Sequence, residues 1–140
     1  MKKRILFLCT GNSCRSQMSE GWLKALGGGR FDALSAGTAP QAVNPFAVKV
    51  MSEAGIDISS HRPKLVDEYL DMDIYLLITV CGGAKEVCPA FTGKVLDRIH
   101  WPVDDPASAT GSNEEILAVF RRTRDEIRQR VVALLKDLQG

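Results

Sequence analysis

The chain has 140 residues, 45% of them hydrophobic and 25% charged, and 18 Lys and Arg against 17 Asp and Glu leave a formal net charge of +1. That length suits one domain spanning 1–140, and so balanced a charge excludes attraction to nucleic acid or to a membrane surface by bulk charge. Any anion the protein binds must be held locally.

Lys3 to Leu8 reads as a buried strand. The basic start before it imitates a signal peptide, but the apolar run is too short for one, and no segment nears the roughly 20 apolar residues of a membrane helix. A cytoplasmic protein is therefore expected, in which four cysteines point to catalysis or metal binding more than to cross-linking. Ser16 to Leu26 reads as a helix with Met18, Trp22, Leu23 and Leu26 on its apolar face, ended by Gly27-Gly28-Gly29. Phe31 to Ala36 is a second short strand, followed by the turn Ser35-Ala36-Gly37-Thr38. Asn44-Pro45 supplies a cap and a first-turn proline for a helix running to about Ala54, closed by Gly55.

Ile74 to Val80 is apolar on both faces, as in a central parallel strand, and Cys81-Gly82-Gly83 follows at once. Lys94 to Trp101 gives a fourth strand, with Asp104-Asp105-Pro106 in the loop beyond it. Ser112 and Glu115 form a capping box for a last helix whose stripe is Ile116, Phe120, Ile127, Val131, Leu134 and Leu138. Strands alternating with helices imply an α/β sandwich on a mostly parallel sheet, whose sites form beyond the carboxyl ends of the strands. Cys9, Cys81 and the Asp104-Asp105 loop each follow a predicted strand, so one sheet edge gathers all three.

Between the first strand and the first helix lies Cys9-Thr10-Gly11-Asn12-Ser13-Cys14-Arg15-Ser16. It lacks the Gly-Lys-Ser/Thr ending of a nucleotide loop and has no Gly-x-Gly-x-x-Gly. The backbone N–H groups of such a loop, together with the helix dipole, form an anion cradle. They and Arg15 favour a thiolate at Cys9, and the planar fork of Arg15 suits two oxygens of a bound oxyanion. Cys9 would then attack the central atom while Arg15 and the amides of 10–15 stabilise the charge that develops. The plainer alternative, a buried Cys9 beside a surface Arg15, loses force in this strand-loop-helix context. Ser16 either caps the helix or hydrogen-bonds Cys9.

"CTGNSCRSQMSEGW", followed in order by "SAGT", "VNP", "GIDISSHR" and "DDP", resembles the low-molecular-weight protein tyrosine phosphatase superfamily over nearly the whole chain. The resemblance implies a three-layer sandwich with a central four-stranded parallel sheet. It also implies that Cys9 is the nucleophile, that Arg15 and Ser16 complete the oxyanion cradle with Thr10, Gly11, Asn12, Ser13 and Cys14, and that Asp105 is the general acid. Asn12 corresponds to the asparagine that holds the cradle's shape.

Cys81 and Cys88, in "TVCGGAKEVCPAF", have no place in a phosphatase. Zinc binding needs closer spacing and two more ligands, and only His61 and His100 are at hand. A pair of core cysteines is a second possibility and a thiol relay a third. With Cys9, the pair resembles the thioredoxin-coupled arsenate reductases within the superfamily. That resemblance implies attack of Cys9 on arsenic, protonation of the departing oxygen by Asp105, attack of Cys81 on Cys9 with release of arsenite, and takeover by Cys88. A Cys81–Cys88 disulfide would remain for thioredoxin, with glutaredoxin or a small thiol as alternative donors. Phosphate or sulfate would compete with arsenate, no metal or cofactor is expected, and the protein would act as a monomer. Gly82, Gly83 and Pro89 suit a segment that refolds between helix and loop during the cycle.

Some members bind potassium near the cradle through residues matching Asn12, Glu20 and Ser35, but the fourth position is Lys64, whose ammonium would take the ion's place. Cys14 either packs beneath the loop or traps Cys9 on oxidation. Ala107 stands where phosphatases of the superfamily carry tyrosines flanking an aromatic substrate. Trp101 and Phe91 either line the mouth or pack in the core. His61, Arg62, Arg121, Arg122 and Arg124 are expected on a solvated face. A phosphotyrosine phosphatase, and a protein that binds an oxyanion without turnover, are the competing readings.

Overall fold

The structure is a computed structural model that describes residues 2–82 and 91–139. Four strands, β1 (Lys3–Cys9), β2 (Phe31–Gly37), β3 (Ile74–Val80) and β4 (Val95–Trp101), form one sheet in the order β2-β1-β3-β4. Every neighbouring pair is parallel. The helices are α1 (Arg15–Leu26), α2 (Pro45–Glu53) and α3 (Asn113–Gln139), with short 3-10 turns at Val66–Tyr69 and Pro106–Ser108.

Alternation along the strands divides the core. Ile5, Phe7, Leu76, Ile78 and Val80 share one cluster with Met18, Trp22 and Leu23 of α1, Val50 and Met51 of α2, and Phe120, Ile127 and Val131 of α3. Leu6, Leu8 and Leu77 turn the other way, onto Val66, Tyr69 and Phe91. The central strands β1 and β3 are therefore buried on both faces, which explains their unbroken apolar sequences. β4 lies at the edge, and its Leu96 and Ile99 are exposed.

Local sequence sets the helix ends. Asn44 caps α2 by accepting a hydrogen bond from Phe46 N, just before the first-turn Pro45. At α3 the Ser112 hydroxyl accepts from Glu115 N while the Glu115 carboxylate accepts from Ser112 N, the expected reciprocal box. Arg121 and Arg124 do not lie idle on a solvated face: both meet Glu53, and Arg124 also donates to the Val50 carbonyl, tying α3 to α2. Phe91 and Trp101 are core residues, with Trp101 5.6 Å from the Phe7 ring centroid. They do not line a mouth.

Candidate active site

The carboxyl end of β1 runs directly into a loop that reaches α1. Helix α1 begins at Arg15, one residue earlier than its apolar pattern suggests, and Cys14 at the cap position provides no side-chain cap. The first turn holds no acidic residue. The positive end of the helix dipole therefore faces the loop without a side chain of its own to neutralise it, the arrangement that suits an anion.

Backbone hydrogen bonds fix the loop's orientation from outside. The carbonyls of Thr10, Gly11 and Ser13 accept from Ala39 N, Gln41 N and Asn44 N at 2.8–3.0 Å. In a trans peptide the N–H of the next residue points the opposite way. The N–H groups of Gly11, Asn12 and Cys14 are thereby turned inward. Asn12 N–H shows the result, lying 3.2 Å from Cys9 Sγ. Gly37, at the end of β2, permits this close docking, because a Cβ there would collide with the Thr10 carbonyl and stand 2.9 Å from Asn12 N.

A second group reaches the sulfur. Ser16 Oγ lies 2.8 Å from Cys9 Sγ, a hydrogen bond in which either atom can donate, and accepts a hydrogen bond from Asn12 Nδ2. Ser16 is therefore inside the helix as a partner of Cys9, not a cap. Asn12 adopts a positive φ of 47° and is fully buried. Its Oδ1 accepts from Lys64 N and from Gln17 Nε2, so one side chain ties the loop to α1 and to the chain before β3.

Arg15 is buried at the loop's end. Its Nη1 donates to the Val103 carbonyl at 2.8 Å, and Nη2 lies 3.9 Å from Asp105 Oδ2. Asp105 caps the 3-10 turn at 106–108 by accepting from Ala107 N. The guanidinium thus joins the cradle to the loop after β4, and Asp105, not the exposed Asp104, is the aspartate brought to it.

Cys81 is fully buried at the end of β3 and is disulfide-bonded, whereas Cys9 and Cys14 are free thiols. Cys88 lies outside the described residues, as does most of the segment expected to refold. The register Leu8↔Thr79 puts Cys81 one residue beyond the position opposite Cys9. The two cysteines nevertheless leave the sheet toward opposite faces. Cys9 follows Phe7 to the α1 side, while Cys81 Sγ is 3.9 Å from Nδ1 of His100, whose strand partner is Thr79.

Burial pushes the Cys14 thiol up to about 12, with the hydrogen bond to Ser13 too weak to offset it. The buried Glu20 carboxylate meets Lys24 Nζ at 2.6 Å, Ser35 Oγ at 2.6 Å and Lys64 Nζ at 3.2 Å. Burial alone would raise its pKa, but the hydrogen bonds from Lys24 and Ser35 and the Lys64 charge hold it below the ordinary 4.5. Lys64 therefore places its ammonium against Glu20 and Ser35, as expected from the departure at position 64.

Sequence reading missed two residues. Gln17 donates through Nε2 to Asn12 and to the Arg62 carbonyl, and its Oε1 faces His61 Nδ1 at 3.0 Å. His61 is thus a packed member of the loop's support, not a solvated residue; burial lowers its pKa although Glu20 pulls the other way. A fully polar residue on the inner side of a helix carries no periodic signal, so only the fold reveals the pair. Among the described residues no group of three or more His, Cys, Asp and Glu gathers to hold a metal, and no helix is long and apolar enough to cross a membrane.

Residues 4–140 match the low molecular weight phosphotyrosine protein phosphatase family. The chain is 54% identical over 130 residues to the arsenate reductase of Halalkalibacterium halodurans, covering 93% of each chain. Its fold is similar to that of a solved arsenate reductase in the phosphate binding state, with a TM-score of 0.79 at 32% identity over 96% of this chain and 98% of that one. A thioredoxin-dependent arsenate reductase from Corynebacterium glutamicum is similar at TM-score 0.69 and 26% identity, over 99% of this chain and 62% of that one. With a cysteine ending β1, an arginine opening α1 and an Asp-Pro turn beyond β4, the chain belongs to the low molecular weight phosphotyrosine protein phosphatase family.

Proposed function

We propose that this protein reduces arsenate to arsenite with three thiols in sequence. Cys9, as a thiolate, attacks arsenic held against the inward N–H groups of the loop and Arg15. Asp105 protonates the oxygen that leaves as water. Cys81 then attacks Cys9 Sγ: a sulfur–sulfur bond forms, the arsenic–sulfur bond breaks, and its electron pair stays on arsenic as arsenite departs. Cys88 attacks Cys81, Cys9 leaves as a thiolate, and a dithiol such as thioredoxin reduces the resulting Cys81–Cys88 disulfide.

The observation that carries this reading is a disulfide-bonded cysteine, Cys81, at the end of the strand next to β1 and its Cys9 loop, a redox-active group that phosphoryl transfer would not use. Because Cys81 and Cys9 leave the sheet on opposite sides, the relay includes a movement of Cys81 around the strand end, next to Gly82. The arsenate reductases to which the chain is similar, one of them thioredoxin-dependent, support the substrate and the reductant. We place the protein in the cytoplasm, where thioredoxin is reduced, acting as one domain and as a monomer.

A phosphotyrosine phosphatase is the second reading, favoured by the shared cradle and acid. The deciding test measures arsenite made by the purified protein with thioredoxin, thioredoxin reductase and NADPH, beside Cys88→Ser. Multiple turnovers that vanish in the variant are expected. Steady hydrolysis of an aryl phosphate with no arsenite would establish the phosphatase instead.

A further inference from the structure

We propose that His100 is the proton donor to Cys81 when the Cys81 disulfide is reduced, an imidazole open to solvent held 3.9 Å from a buried sulfur. The inference deepens the thiol-relay reading, in which the partner sulfur is that of Cys88.

The placement follows from strand register. Thr79 and His100 face each other across β3 and β4, so their side chains share a face, and Cys81 lies two residues beyond Thr79 on that same face. The Thr79 hydroxyl is 3.0 Å from His100 Nδ1, the nitrogen that also lies 3.9 Å from the sulfur. His100 itself is exposed, while Cys81 has no exposed surface. The ring thus spans the distance from solvent to a sulfur that solvent does not reach.

A reductant thiolate needs access to one sulfur of the disulfide along the bond axis, and Cys81 offers none. In the proposed step the reductant attacks the partner sulfur: a new bond forms there, the old sulfur–sulfur bond breaks, and its electron pair passes to Cys81 Sγ. A thiolate in a buried site leaves more readily when it takes up a proton as it forms. His100 supplies the proton, Cys81 becomes a thiol, and the exposed ring recovers a proton from solvent. The second thiol of the reductant then resolves the mixed disulfide, and the two electrons are accounted for.

The test follows reduction of the oxidised protein by excess dithiothreitol, with Cys9→Ser in every arm so that no second thiolate competes. Acid-quenched samples are labelled with a maleimide and read by mass spectrometry. His100→Asn keeps an amide near Thr79 but has no proton to give, and should slow reduction at least about tenfold, the modest end for a positioned acid. His100→Ala should be slowed similarly and be restored by added imidazole, which leaves the unsubstituted rate unchanged. Reduction of His100→Asn at the parent rate, or no response of His100→Ala to imidazole, would overturn the proposal. The assay contains no arsenate, so its result stands apart from arsenite production, on which the wider functional reading depends.

Discussion

The carboxyl ends of β1 and β3 each carry a cysteine, and their surroundings are built on different plans. Around Cys9, the segments 10–17, 37–44 and 61–64 converge, and Asn12 alone bonds to Cys9, Ser16, Gln17 and Lys64. Cys81 instead sits beside an edge strand with exposed apolar residues, is disulfide-bonded, and lies 3.9 Å from the imidazole of the exposed His100. A group that stabilises charge in a transition state gains most from donors fixed beforehand. A relay thiol must exchange one sulfur partner for another. Under the proposed relay, the difference amounts to a division of labour between a held cradle and a cysteine that travels.

The sharpest way to break this comparison is at the cradle's reacting groups. Cys9→Ser should lower arsenite formation at least ~10⁴-fold, as loss of a nucleophile does in other enzymes. Arg15→Lys keeps the charge but loses the planar fork, and a fall of ~10²–10³ in kcat is expected. Steady-state kinetics with thioredoxin reads both. A similar loss for Arg15→Lys in KM alone would mean that Arg15 only recruits the anion.

The next effect is on the loop's support. Asn12→Ala forfeits the buried hydrogen bonds and places a Cβ-bearing residue without local compensation at positive φ, and should cost roughly 2–4 kcal/mol in urea unfolding. Asn12→Gly loses the same side-chain hydrogen bonds but relieves the strain of alanine at this φ, and should recover only part of that. Equal stability for the two variants would show that backbone strain contributes little, and a glycine variant as stable as the parent would show that the side-chain network does.

Much of this was legible in the sequence and some was not. The apolar runs of β1 and β3, the Asn44-Pro45 cap and the Ser112/Glu115 box encode local structure in adjacent residues, and all formed. Cys9, Arg15 and the Asp104-Asp105 loop were legible because a strand boundary or helix start falls beside each, and the family resemblance singled out Asp105. Gln17 and His61 were not, since their partners are 5 and 44 residues away and no periodicity marks them. The start of α1 at Arg15 was also hidden: Ser16 looks like a cap in isolation, and only its 2.8 Å contact with Cys9 gives it another use.

Lys64 offers a smaller perturbation. Because the folded Glu20 carboxyl ionises below its unfolded value near 4.5, it contributes stability that is complete above that value and is lost as pH falls through the folded one. Lys64→Met removes one of the groups holding it down, so the midpoint of acid unfolding should move to higher pH. The loss at neutral pH should stay below the ~3–5 kcal/mol of an orphaned buried charge, because Lys24 still pairs with Glu20. With the ammonium already against Glu20 and Ser35, replacing sodium by potassium at equal ionic strength should leave activity unchanged.

Cys14 tests the other side of the comparison with the smallest expected effect. It lies in the cradle, yet burial pushes its thiol up to about 12, so it stays protonated throughout the neutral range and is a weak nucleophile there. Its backbone contributes to the loop while its sulfur packs below it, 3.8 Å from Ser13 Oγ. Cys14→Ser should therefore retain kcat within about twofold under reducing conditions and cost ~1 kcal/mol or less, typical of a small conservative change. A loss comparable with that of Cys9→Ser would make Cys14 a reacting thiol, and the held cradle would then contain a moving part of its own.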